Sequence, residues 1–202
     1  MKYINTILIS VFMLLVQGQA HAIEKVFTFG YGVGGDGLFQ LGFSDGSTAT
    51  LNANQGMDFA FGIESKHGAD EKLATQVTYG YTFGGEGASN GGIEWSNTKI
   101  EVIEFYRTSN KYRVGAGLSY HMSPKTSGTG LAEGDADMAF SNAMGFVLVA
   151  ELNDARNPTG LTVGLRYTDI SYSNTTYNGI DTSALGIKVS GSSIGLYIGR
   201  VW

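Results

Sequence analysis

Between Val26 and Trp202 the chain places apolar residues at every second position of eight segments, the period of a strand with one apolar face. In Val26 to Val33 the apolar set is Phe27, Phe29, Tyr31 and Val33, with Gly30 and Gly32 opposite. Met57 to Glu64 sets Met57, Phe59, Phe61 and Ile63 against Asp58, Ala60, Gly62 and Glu64; Leu73 to Phe83 sets Leu73, Val77, Tyr79, Tyr81 and Phe83 against Ala74, Gln76, Thr78, Gly80 and Thr82. Trp95 to Tyr106 is less regular, with Ile100, Val102 and Tyr106 outward, Lys99, Glu101, Ile103 and Phe105 inward, and Glu104 outward near a turn. Tyr112 to Met122, Phe140 to Leu152, Leu161 to Tyr172 and Ser190 to Trp202 complete the set.

Ahead of the first strand stands a different pattern. Met1-Lys2 is a short charged start, Ile4 to Val16 is mostly apolar, and Ala20-His21-Ala22 is a small-x-small cleavage site, so residues 1–22 read as an export signal and 23–202 as one mature domain. The apolar run is shorter than the roughly 20 residues a membrane helix needs, and Gln17, Gly18 and Gln19 follow it. No cysteine is present, which excludes a lipid-attachment cysteine, disulfides and thiolate metal sites.

An exported chain with apolar outward faces on all its strands requires a closed barrel, because an open sheet edge has no hydrogen-bond partner in lipid. The predicted fold is therefore all-β, an eight-stranded antiparallel up-and-down transmembrane β-barrel with both termini on one side. Short turns (66–72, 108–111, 153–160) alternate with long external loops (123–137, 174–189), as expected of such a barrel. A further hairpin, Leu38 to Phe43 and Ser47 to Asn52 around Asp45-Gly46, has arms shorter than a spanning strand and is predicted as an extension of the first external loop. The 30 glycines fit a narrow barrel, where they make room for bulky neighbours inside.

Charge narrows the partners. The net charge is −5 with the histidines neutral, and −6 once Lys2 leaves with the export segment, so a nucleic-acid partner is not expected. Unpaired charges in a closed lumen cost several kcal/mol each, and two inward pairs are predicted, Glu101 with Arg166 and Arg113 with Glu151. With Ile103, Phe105, Arg113, Arg166 and Tyr197 all directed inward, eight strands leave no open pore.

Gly164-Leu165-Arg166-Tyr167-Thr168-Asp169-Ile170, Leu118-Ser119-Tyr120-His121 and the closing Gly195-Leu196-Tyr197-Ile198-Gly199 with terminal Trp202 resemble the small eight-stranded outer-membrane proteins of Gram-negative bacteria, OmpA-transmembrane-like in type. The resemblance implies location in the outer membrane, contact with its lipids and lipopolysaccharide, and recognition of the C-terminal strand and Trp202 by the barrel-assembly machinery. Arg200 stands where such proteins carry an outward apolar or aromatic residue, although an arginine near the interface can snorkel. No periplasmic domain is expected after Trp202. The implied function is non-catalytic, with external loops serving envelope structure, adhesion or contact with host or protein ligands, and no cofactor.

Two local patterns suggest other chemistry. His121-Met122-Ser123 ahead of Glu133 is similar to the arrangement in outer-membrane lipid A 3-O-deacylases, where histidine activates a serine and a carboxylate orients the ring. The period places His121 and Ser123 inward, and Ser123 precedes Pro124, which is the ordinary context of a turn serine. Glu133, Asp135 and Asp137 alternate beside glycines and offer three hard oxygen donors for a divalent cation, without a complete calcium-loop pattern.

Overall fold

A computed structural model describes residues 23–42, 46–68, 70–88, 90–130, 132–153 and 160–202. The export segment 1–22, Asp45 of the hairpin turn and positions 154–159 of the last short turn lie outside the described residues. The strands, in chain order, are β1 (Ile23–Gly34), β2 (Gly37–Gly42), β3 (Thr48–Asn52), β4 (Gly56–His67), β5 (Leu73–Ala88), β6 (Gly91–Arg107), β7 (Tyr112–Gly130), β8 (Met138–Phe140), β9 (Ala143–Asn153), β10 (Leu161–Asp169), β11 (Ser171–Tyr177), β12 (Ile180–Asp181), β13 (Lys188–Ser190) and β14 (Ser193–Val201).

Eight of them close into a ring: β7, β6, β5, β4, β1, β14, β10 and β9 pair successively, all antiparallel, and β9 returns to β7. Closure leaves no wall edge to satisfy in lipid. The ends meet where Lys25 N–H donates to the Trp202 carbonyl at 2.7 Å and Trp202 N–H donates back at 3.0 Å. Outward apolar side chains form a continuous band around the wall; Phe146 and Leu196 are 67% and 65% exposed, which suits lipid rather than water. Outward Glu104 is held near the short-turn end by Thr75 Oγ1, which donates to it at 2.6 Å, and by His67 Nε2 at 2.9 Å.

Glycines serve the packing where a large inward side chain crosses the lumen. A Cβ on Gly164 would lie 2.3 Å from the Tyr197 ring, and one on Gly115 would lie 2.8 Å from Phe105.

Five segments differ from the sequence pattern, three by extension and two by division. Strands β5, β6 and β7 run on to Ala88, from Gly91 and to Gly130, through the glycine-rich and polar segments read as loops. Above the membrane a ladder has water on its outer face and needs no apolar alternation, so the period that marks wall strands is silent there. The sixth segment divides at Ser141 and Asn142 into β8 and β9, and the seventh divides at Ile170 into β10 and β11. After these breaks β8 and β11 leave the ring, pair with each other, and join β7, β12 and β13 in an external sheet. The β2–β3 hairpin is a separate two-stranded sheet, outside the wall.

The external elements have their own apolar core. Leu51, Ala53, Ile93, Trp95, Phe140, Ile170 and Tyr172 are buried together, with Leu38, Phe39 and Val189 packed against them. Trp95 and Tyr172 ring centroids are 5.4 Å apart, and Trp95 and Phe140 are 5.6 Å apart. A second cluster, Ala74, Ile103, Phe105, Val147 and Val149 with Tyr197, fills the lumen toward the short-turn end.

Candidate functional site

Apart from these two apolar clusters the lumen is polar, and its charges are paired. Arg113 on β7 bonds Glu151, its cross-strand partner on β9, through Nε, and donates through Nη1 to both oxygens of Glu64 at 2.8 Å. Its guanidinium also lies 4.0 Å above the Phe105 ring. Tyr197 Oη donates to the other Glu151 oxygen, and Gln76 reaches Glu64 at 3.4 Å. One level further out, Arg166 pairs with Glu101, while Lys99 pairs with Asp58 and stands 3.8 Å from Glu101. Thr82 Oγ1 donates to Asp58 at 2.8 Å. Thus Asp58, Glu64, Glu101 and Glu151 each face at least one of Lys99, Arg113 and Arg166. Glu64, Lys99 and Asp58 are the members of this network that the sequence pattern did not pair.

His121 caps the network. Ser119 Oγ donates to Glu101 at 2.6 Å, so its oxygen accepts from His121 Nε2–H at 3.0 Å, leaving Nδ1 to accept from Tyr172 Oη at 2.7 Å. The order of donors runs one way, from Tyr172 through His121 and Ser119 to Glu101. The ring nitrogen facing Ser119 carries its proton, so His121 is not placed to take one from that hydroxyl.

Ser123 stands elsewhere. Between the pairs Ser96–Lys125 and Thr98–Met122 strand β7 holds one residue more than β6, a bulge that sets Asn97 opposite Ser123 and Pro124. Ser123 has φ +50° and is exposed, and its N–H donates to Asn142 Oδ1 at 2.9 Å. The inward position expected from parity is therefore corrected to an outward one: His121 is 1% exposed, on the other face. Glu133 is an exposed turn residue, its N–H on the Gly130 carbonyl, and is not part of the histidine's surroundings.

Glu133, Asp135 and Asp137, the divalent-cation candidates, lie in or directly after a turn. Alternate residues share a face only in a strand, and this segment turns, with Asp135 N–H on the Ala132 carbonyl and Asp137 Oδ1 accepting from Gly128 N–H at 3.0 Å. Among the described residues no three histidine, aspartate or glutamate side chains gather as a metal site. In the loop that follows β12, Asp181 accepts from Ser183 N–H and Oγ at 2.9 and 2.6 Å, which holds its carboxyl below the ordinary carboxylate range.

A cavity of about 40 Å³ remains inside, lined by Asn54, Asp58, Thr82, Lys99, His121 and Arg166. That is room for a few waters at most. Phe105 and Tyr197 obstruct it toward the short-turn end, and Trp95, Phe140 and Tyr172 toward the outside. At the wall seam, Trp202 is half exposed, with the Arg200 guanidinium 5.5 Å from its ring.

The fold is that of the small eight-stranded outer-membrane β-barrels. No protein-family model and no curated protein matches the sequence. Among solved structures the chain is similar to Ail, the attachment invasion locus protein of Yersinia pestis, solved in complex with the heparin analogue sucrose octasulfate. The two are 11% identical over 89% of this chain and 99% of that one, with a TM-score of 0.50. Neisserial surface protein A is 11% identical over 88% and 96% (TM-score 0.43), and OprG from Pseudomonas aeruginosa is 12% identical over 93% and 99% (TM-score 0.46).

Proposed function

We propose that this chain is a non-catalytic outer-membrane protein, exported by residues 1–22, whose barrel anchors an external sheet and loops that contact other molecules. The observation that carries the reading is the division of the molecule: a lumen closed by paired charges and two apolar plugs, below an external sheet with its own core. A barrel built in this way spends its interior on holding the external surface in place. Lipopolysaccharide and outer-membrane lipids are its surroundings, and the C-terminal strand ending at Trp202 is the segment offered to the assembly machinery.

Charge gives the external contacts a sign. Segments 34–55, 84–97, 123–142 and 169–193 together carry nine acidic residues and two lysines, Lys125 and Lys188. Ail was solved with a polyanion; this surface favours cationic partners and repels polyanions. The test is to immobilise the folded mature chain in detergent and titrate it with a lysine-rich peptide and with heparin. Peptide binding that weakens with salt, and no heparin binding, is expected; heparin binding in preference to the peptide contradicts the reading.

A further inference from the structure

Where the lipid-facing wall meets the external sheet, the outer surface carries a groove of about 410 Å³. Its floor is a transverse row of the sheet, in which Tyr31, Met57, Phe83, Ser96 and Lys125 are successive cross-strand partners on β1, β4, β5, β6 and β7. The next row outward is Gly85, Glu94 and Ser127, and Tyr81 lies below, stacked on Phe83 with centroids 5.9 Å apart. Gly85 leaves the upper floor without a side chain, which opens the groove toward the polar sheet.

The groove thus changes character along the membrane normal. Its lower part continues the lipid-facing band, with Tyr31, Met57, Tyr81 and Phe83 all exposed. Its upper part holds two hydroxyls and two charges. Lys125 and Glu94 are exposed diagonal neighbours on β7 and β6, and neither forms an ion pair with the other or with any described residue. Diagonal neighbours in a sheet stand roughly 7–8 Å apart at the backbone, a gap that a short dipolar group can bridge.

We propose that the groove binds a membrane lipid whose headgroup carries both a phosphate and an ammonium. The phosphate meets Lys125 and the hydroxyls of Ser96 and Ser127, the ammonium meets Glu94, and the acyl chains run down over Phe83, Tyr81 and Met57. A lipid with only negative charge would meet Glu94 and the acidic external surface, and one with only positive charge would meet Lys125. Continuity with the lipid-facing rings makes a lipid the occupant rather than a soluble phosphoamine. The inference rests on the wall facing a bilayer, as proposed above.

The experiment is native mass spectrometry of the mature chain folded in neutral detergent, with phosphatidylethanolamine, phosphatidylglycerol or diacylglycerol added in turn. Folding is checked beforehand by circular dichroism and by insertion into vesicles; a wild-type chain that does not insert contradicts the barrel reading itself. Given insertion, phosphatidylethanolamine adducts should exceed those of the other two lipids by about fivefold or more. Lys125→Gln should lower them by a similar factor, Glu94→Gln should abolish the preference over phosphatidylglycerol, and Lys188→Gln should change nothing. Equal adducts of all three lipids, equal effects of Lys125→Gln and Lys188→Gln, or protein dimers in place of lipid adducts would overturn the proposal.

Discussion

Tyr172 Oη and His121 Nδ1 lie 2.7 Å apart, and this bond joins the external sheet to the lumenal charge network. Tyr172 packs on Trp95 and Phe140 from above, while His121 passes the chain of donors down through Ser119 to Glu101. Tyr172→Phe keeps the ring and removes the donor, leaving His121 Nδ1 buried without a partner. A loss of about 1–3 kcal/mol in stability is expected. Urea unfolding of the chain in detergent checks it, and an unchanged midpoint would show that the bond is not what couples the two halves.

Arg113 forms ion pairs with both Glu64 and Glu151. Arg113→Ala removes the ion-pair partner of two buried carboxylates, and a cost of about 3–5 kcal/mol is expected. The same substitution in a Glu64→Gln, Glu151→Gln background should cost much less. Equal costs in both backgrounds would mean that the arginine acts through its packing on Phe105 rather than through charge.

Gly164 faces the Tyr197 ring, whereas a Cβ on Gly42 meets nothing within 4 Å. Gly164→Ala should destabilise the barrel by about 1–3 kcal/mol by displacing that ring from Glu151. Gly42→Ala should be close to neutral. Thermal unfolding followed by the loss of β-sheet circular dichroism compares the two.

The wall was legible in the sequence because lipid on one side and a crowded lumen on the other impose a strict period of two. Phe27, Phe59, Tyr79 and Leu196 announce their outward face, and inward Lys99, Glu101, Ile103 and Phe105 follow by parity. Three things escaped that rule. The continuation of β5 to β7 beyond the membrane has water outside it, so Gly84 to Gly92 resembles a loop. The bulge at Asn97 adds one residue on β7 and reverses the parity of Ser123, which no local pattern signals. The serine that touches His121 is Ser119, also two residues away; the spacing argument that singled out Ser123 applied equally to it, and only the buried Glu101 on the next strand decides between them.

Outward Ser123 carries a prediction of its own. Ser123→Ala should leave stability within about 0.5 kcal/mol of wild type and the lipid A of expressing cells unchanged in mass. His121→Ala, by contrast, should destabilise the chain without altering lipid A. Loss of one acyl chain from lipid A that depends on Ser123 would establish a hydrolase where the geometry assembles none.

The most direct test of the closed, contact-bearing barrel is conductance of the folded mature chain in a planar lipid bilayer. Plugs of Phe105 and Tyr197 below and of Trp95, Phe140 and Tyr172 above predict insertion without stable current steps. Reproducible ohmic steps from the wild-type chain would contradict the account, since ions would then have a path through a lumen that these side chains and ion pairs fill.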